Sequence, residues 1–129
     1  MIEEGVRLIG NVVLGEGVSI SAPADLMAKD SSIVIGDGCD IAAFVTISTA
    51  DSHMRCLGLS DVIERREILI GNRVFIGTGA VILGGCEIGD GSVIGANVVL
   101  KGVKLPPDSR VTVGAMVVES GFYRQRKLF

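Results

Sequence analysis

The chain of 129 residues has no tryptophan, one tyrosine, four phenylalanines and one histidine. A globular core assembled around aromatic rings is therefore excluded. A zinc site built from several imidazoles of one chain is excluded too. Basic charge is scarce: 12 Lys and Arg against 15 Asp and Glu leave a net charge of -3. That balance offers no positive field for nucleic acid. No apolar run approaches the ~20 residues of a membrane-spanning helix. The start, MIEEGVRLIG, is acidic and lacks the character of a secretory signal. Three cysteines are an odd number, and a reduced, cytoplasmic setting is expected.

Glycine, by contrast, is abundant, with 18 residues, about twice the usual ~7% share. Hydrophobic residues make up 48% and are mostly Val, Ile and Leu, a composition suited to buried parallel strands. Their order is the strongest signal. In ILIGNRVFIGTGAVILGGCEIGDGSVIGANVVL, a large aliphatic residue recurs every sixth position: Ile70, Ile76, Ile82, Ile88, Ile94 and Leu100. The fourth residue after each of the first five is small or β-branched: Val74, Ala80, Cys86, Ser92 and Val98. A period of six is neither helical nor that of a simple strand. It predicts a hexapeptide solenoid, in which short parallel strands alternate with turns and both marked positions face inward.

The same frame extends back through Leu8, Leu14, Ile20 and Leu26, then Ile35, Ile41 and Ile47. Three passes per coil predict between four and five coils. The inward small position is charged only at Asp30, Asp51 and Lys104. A bare charge inside a coil is costly, so the chain is expected to have left the coil at each. Three extra residues around 29–34 predict a small bulge. The interval from Ile47 to Ile70 holds no hexads, and a loop is expected over about 48–67. A long excursion inside a compact repeat is characteristically functional. Pro106-Pro107 is expected to end regular pairing. A last strand, RVTVGAMVV, and a tail carrying Phe122, Tyr123 and Phe129 follow, the tail as a cap or subunit contact. The whole of 1–129 reads as one all-β domain. So small a prism has a large exposed flank, and self-association is expected.

From about Leu8 to Val118 the chain resembles the hexapeptide-repeat acyltransferases, nearest the sugar O- and N-acetyltransferases and the xenobiotic acetyltransferases. The segment RVFIGTGAVILGGCEIGDGSVIGANVVLKG carries most of the likeness. Phe75 stands where the family usually has Trp. Val113-Gly114-Ala115 stands for its usual Asn-Pro-Ala. The resemblance implies a left-handed parallel β-helix and a homotrimer with acetyl-CoA, as co-substrate, in the groove between neighbouring prisms. It also implies a histidine near the extended loop that takes a proton from the acceptor. No metal is expected.

His53, in STADSH at the loop mouth, matches that histidine. Imidazole is also the side chain whose ordinary pKa suits a base at neutral pH. A carboxylate would fix its tautomer, and Asp51 and Asp61 are both candidates. The resemblance places cofactor contacts at Gly77, Thr78, Gly95, Ala96 and Lys101, with Lys101 and Arg110 toward the CoA phosphates. The glycines are needed by the corners in any case. Arg65 and Arg66 are expected at subunit contacts. The implied reaction is acetyl transfer to a hydroxyl or amino group of a sugar or nucleotide-linked sugar. A γ-type carbonic anhydrase shares the solenoid but needs more histidines. A non-catalytic scaffold is the alternative from another class, and it gives no reason for a loop bearing the single His.

Overall fold

The computed structural model describes residues 1–114. The tail, and the last residues of RVTVGAMVV, lie outside the described residues. The chain winds into a parallel β-solenoid of about five turns, consistent with a left-handed β-helix. Each turn passes three flat faces, and on each face one residue per coil stacks directly over its counterpart. The first face aligns Leu8, Leu26, Ile47, Ile82 and Leu100. The second aligns Leu14, Ile35, Ile70, Ile88 and Leu105. The third aligns Ile2, Ile20, Ile41, Ile76, Ile94 and Val111. Early in the chain, Val6–Leu14 and Ala24–Ile35 each run on from the first face to the second. Later coils use separate two- or three-residue strands such as Val81–Leu83 and Glu87–Ile88.

The period follows from the width of the interior. Three walls of two or three residues leave room for one large side chain from each wall and a small one beside it. Ile20, Leu26, Ile41, Ile47, Ile76, Ile82 and Ile94 are fully buried, with Ala24, Cys39, Ala80 and Cys86 beside them. Burying each aliphatic side chain contributes roughly 1.5–3 kcal/mol. The one inward hydroxyl of the later hexads, Ser92, accepts from the Ser109 N–H at 3.1 Å and donates to the Pro106 carbonyl. Cys39 and Cys86 are buried free thiols, and burial pushes the Cys39 thiol up from its ordinary value.

The corners are held by a ladder of side-chain oxygens. Asp37 Oδ1 accepts from the Glu16 N–H at 2.8 Å, Asn72 Oδ1 from the Asp37 N–H at 2.8 Å, and Asp90 Oδ1 from the Asn72 N–H at 2.7 Å. Glycine precedes each rung because the stack is close: a Cβ on Gly71 would collide with Asp90 Oδ1 and sit 2.8 Å from the Asp90 nitrogen. A neutral Asn72 between Asp37 and Asp90 also keeps carboxylates from lying directly over one another.

The frame departs from the sequence reading at both ends. It starts at Ile2, one hexad before Leu8, through an isolated bridge to Ile20. Leu8 belongs to the end coil and is 42% exposed, because nothing stacks beneath it. At the far end the repeat shortens by one residue and does not decay. Val103 and Leu105 pack against the core. Lys104 points outward and pairs with Glu87 at 3.3 Å. Pairing also continues beyond Pro106-Pro107, since Arg110–Val111 lies on Val93–Ile94. Corner residues Gly36, Gly71 and Gly89 each donate an N–H to the next coil. Pro106 takes the equivalent place on the last described coil, where no further carbonyl calls for a donor.

Both interior breaks fall at one corner, between the first and second faces. Gly10 pairs with Ala28 and Asn11 with Ser32, so residues 29–31 bulge outward, with Asp30 exposed at φ 55. One coil on, the chain leaves after Thr49 and returns at Arg66, whose N–H donates to the Thr49 carbonyl at 3.0 Å. The excursion is therefore 50–65, shorter at both ends than expected, because Ser48 and Glu67 still belong to the coil. It is not a plain loop. Ala50–Asp51 pairs antiparallel with Glu64–Arg65, and His53–Cys56 forms one helical turn. Arg65 Nη1 donates to the Lys29 carbonyl at 2.9 Å, which ties the excursion to the bulge beneath it.

The inward register is checked by Ile82→Asp. Ile82 is fully buried between Ile47 and Leu100 on the first face, and an unpaired carboxylate there should cost about 3 kcal/mol or more. Chemical denaturation should show a lost or strongly lowered transition. A wild-type midpoint would overturn the register.

Candidate active site

The excursion overhangs the end of the first face and borders an open cavity of about 600 Å³. Its walls come from Thr49, Asp51, His53, Cys56, Glu64 and Arg66 on the excursion side, and from Leu83, Gly84 and Lys101 on the coils above. The position follows from local sequence. The short antiparallel pair carries Asp51 out of the coil, and the helical turn that follows starts at His53.

Asp51 organises the site. Its Oδ1 accepts from the His53 backbone N–H at 3.1 Å and lies 2.5 Å from the His53 ring Nδ1. Its Oδ2 accepts from Lys101 Nζ at 2.6 Å. These partners hold the Asp51 carboxyl far below the usual carboxylate range, Lys101 contributing most, then the His53 ring and the His53 N–H. An ionised carboxylate has no proton to give, so the short contact requires the hydrogen on Nδ1. In the neutral ring the lone pair is then on Nε2. The His53 side chain is 54% exposed and that of Asp51 26%, so the histidine is open to a partner in the cavity. The arrangement supplies a tautomer-fixed, accessible base beside a neutralised carboxylate.

The other expected residues are not all brought here. Asp61, the alternative carboxylate, is exposed further along the excursion. It has no hydrogen bond to His53 among the described residues. Gly77, Thr78, Gly95 and Ala96 lie together, but at the opposite end of the first face, at the corner that precedes Val81–Leu83 and Val99–Lys101. There Gly77 donates to the Ile94 carbonyl at 2.7 Å and Asn97 to the Thr78 carbonyl at 3.0 Å. A Cβ on Gly77 would come within 2.7 Å of the Ala96 nitrogen, so the close stacking alone demands glycine. Phe44, in the left-handed region at φ 64 and 65% exposed, projects from the same corner one coil earlier. Arg110 sits on the third face, opposite Val93. Arg66 lines the cavity, and Arg65 is engaged within the chain.

Sequence reasoning missed the link from Lys101 to Asp51 and the wall residues Thr49, Glu64, Leu83 and Gly84. The stacking of Ile47, Ile82 and Leu100 was the available signal, since it sets Ser48, Leu83 and Lys101 one above another. Among the described residues no group of three His, Cys, Asp or Glu could hold a metal ion. No described helix is long and apolar enough to cross a membrane.

The depressed Asp51 carboxyl gives a signed expectation. A folded-state value below the unfolded one means that the contribution is complete above the ordinary ~3.9 of aspartate. It is lost as pH falls through the depressed value. Carboxyl-carbon NMR should show Asp51 still ionised at pH values where free aspartate is mostly protonated. A midpoint at or above ~3.9 would mean that the Lys101 and His53 contacts do not persist in solution.

Residues 67–102 match the bacterial transferase hexapeptide (six repeats) family. The chain is 37% identical over 112 residues to a serine acetyltransferase of Mycobacterium tuberculosis, covering 86% of this chain and 46% of that protein. It thus spans about half the length of the curated relative it matches. The galactoside acetyltransferase solved in complex with coenzyme A superposes with a TM-score of 0.68 at 28% identity, over 99% of this chain and 68% of that one. The polySia-specific acetyltransferase NeuO superposes with a TM-score of 0.64 at 26% identity, over 74% of this chain and 42% of that one. With its three aligned aliphatic columns and its single excursion, the chain resembles the hexapeptide-repeat acyltransferases, and its residues 67–102 carry the repeat of bacterial hexapeptide transferases.

Proposed function

We propose that the protein is an acetyl-CoA-dependent acetyltransferase whose general base is His53 and whose acceptor is a hydroxyl or amino group of a sugar or nucleotide-linked sugar. The observation that carries this reading is the Asp51–His53 pair, with its ring hydrogen fixed on Nδ1, opening onto a cavity beneath the excursion. The named relatives support it: a serine, a galactoside and a polySia acetyltransferase, one of them with coenzyme A bound.

In this reading His53 Nε2 accepts the proton of the acceptor O–H or N–H as the acceptor atom bonds to the thioester carbonyl carbon. The C–S bond then breaks, and the imidazolium returns its proton to the departing thiolate. Asp51 keeps the ring in register and offsets the imidazolium charge while it lasts. The acceptor is drawn against Glu64, Arg66 and the Leu83–Gly84 shelf. Arg66 has no ion-pair partner among the described residues, which leaves it available to a polar acceptor.

The expected cofactor contacts at Gly77, Thr78, Gly95 and Ala96 lie one strand away from this cavity. A strand advances ~3.3 Å per residue, so the two corners of one chain are on the order of 15 Å apart. A three-fold assembly would bring the glycine corner of one chain to the His53 cavity of the next and form a shared groove for the pantetheine arm, with Arg110 toward its phosphates. Light scattering of the dilute protein should give a trimer. A monomer that turns over acetyl-CoA would remove the shared groove.

The decisive variant is His53→Ala. With one acceptor chosen from a panel of free and nucleotide-linked sugars, turnover read as CoA thiol release should fall about 10²- to 10⁴-fold. Acetyl-CoA affinity by calorimetry should change little. The acidic limb of the rate profile should disappear, leaving a small rate that is flat with pH. Wild-type rates in this variant would return the chain to the scaffold reading.

A further inference from the structure

Lys101 has two possible employments: on the flank, free to meet an anionic ligand, or inside the base assembly. Its position decides between them. It is the last residue of Val99–Lys101, which pairs with Val81–Leu83, which in turn pairs with Thr46–Ser48. It therefore stands two rungs above the point where the excursion begins, a gap of ~10 Å at ~4.8 Å per rung. An extended lysine side chain spans most of that distance. Its Nζ ends 2.6 Å from Asp51 Oδ2, on the carboxylate oxygen that His53 does not use.

We propose that Lys101 is a positioning and charge-balancing residue for the base, acting on His53 through Asp51. The inference rests on the reading of His53 as the base for its bearing on catalysis, but its electrostatic content stands apart from that reading. The contact does two things. It fixes the carboxylate plane from the side opposite the ring, so that Oδ1 stays aimed at Nδ1. It also cancels most of the charge that Asp51 would otherwise present to the ring. A lone carboxylate at this distance favours the imidazolium, and a base that is already protonated cannot accept a proton. With Lys101 in place, Asp51 keeps its orienting hydrogen bond while its pull toward the imidazolium is reduced.

Other groups facing the ring could imitate this effect. Glu64 lies opposite Asp51 in the antiparallel pair, Arg66 and Cys56 line the cavity, and Arg55 shares the helical turn. Among the described residues none of these has a side-chain hydrogen bond or an ion pair with Asp51 or His53, whereas Lys101 has both with Asp51. Lys101 is also 57% exposed, so its replacement should leave the fold intact.

The test uses the fact that the chain has a single histidine. Its ring signals in NMR can be assigned without ambiguity, and they follow protonation whether or not an acceptor is known. In Lys101→Met the protonation midpoint of His53 should move to higher pH by roughly half a unit to one unit, since Asp51 then acts uncompensated. In Asp51→Asn it should move to lower pH, and the ring nitrogen shifts should report mixed tautomers. Lys101→Arg should track the wild type. In the rate profile, Lys101→Met should carry the acidic limb upward by the same interval and so lower turnover on that limb about three- to tenfold, with Lys101→Arg restoring it. An unmoved or lowered midpoint in folded Lys101→Met overturns the proposal, and so does failure of Lys101→Arg to restore the midpoint. If the protein proves not to transfer acetyl groups, the catalytic reading fails while the NMR comparison still decides the role of Lys101.

Discussion

The interior of this prism is only three side-chain columns wide, and that narrowness governs the rest of the molecule. A column of Ile and Leu at a constant rung spacing leaves no space for a charge or for a second large residue in the same layer. Small residues must fill between them, which is why Ala24, Cys39, Ala80, Cys86 and Ser92 occupy equivalent depths. Backbone hydrogen bonds join each coil only to its neighbours. Extra chain can therefore be accommodated only where a corner opens outward. Both insertions do so at one corner, and there they touch one another through Arg65 and the Lys29 carbonyl. The candidate site thus lies where the coil can release its chain without breaking a column.

Repetition made most of the fold legible in the sequence. Each hexad votes for the same inward positions, so Ile82 and Cys86 could be placed without knowing which way the coil turns. The ends were harder to read because repetition gives no vote there. Leu8 obeys the pattern and is exposed because it has no layer beneath it. Lys104 breaks the pattern only because one residue is missing from its hexad, and Val103 takes the small inward place with Leu105 as the next large residue. Pro106-Pro107 reads as a breaker by its lack of N–H groups, yet it occupies a corner where the last described coil needs none.

The candidate site was legible only in part. His53 stood out as the sole imidazole at the edge of a frame break. Asp51 and Asp61 could not be separated by spacing, because the excursion folds on itself and the antiparallel pair brings only Asp51 beside the ring. Lys101 was visible as a charge at the end of a hexad, but its target depends on how far a side chain reaches across rungs, which no linear pattern encodes. The four glycine-corner positions were read from likeness to other chains. In the structure they are first of all what the tight stacking of successive coils demands.

The excursion leaves and rejoins the coil at adjacent points, closed by the hydrogen bond from the Arg66 N–H to the Thr49 carbonyl and by the short antiparallel pair beyond it. Its two ends are already neighbours on the scaffold, so its length does not alter the pitch or register of any coil. Loop closure adds little with each added residue, and no rung above or below has to move. The segment is therefore an exchangeable cassette. Chains with the same prism could carry different arms at this junction and so present different cavity walls to one shelf of coil residues. The shape of the cavity and the stability of the fold can vary largely apart in such a molecule, because the arm supplies much of the wall and the buried columns supply the core.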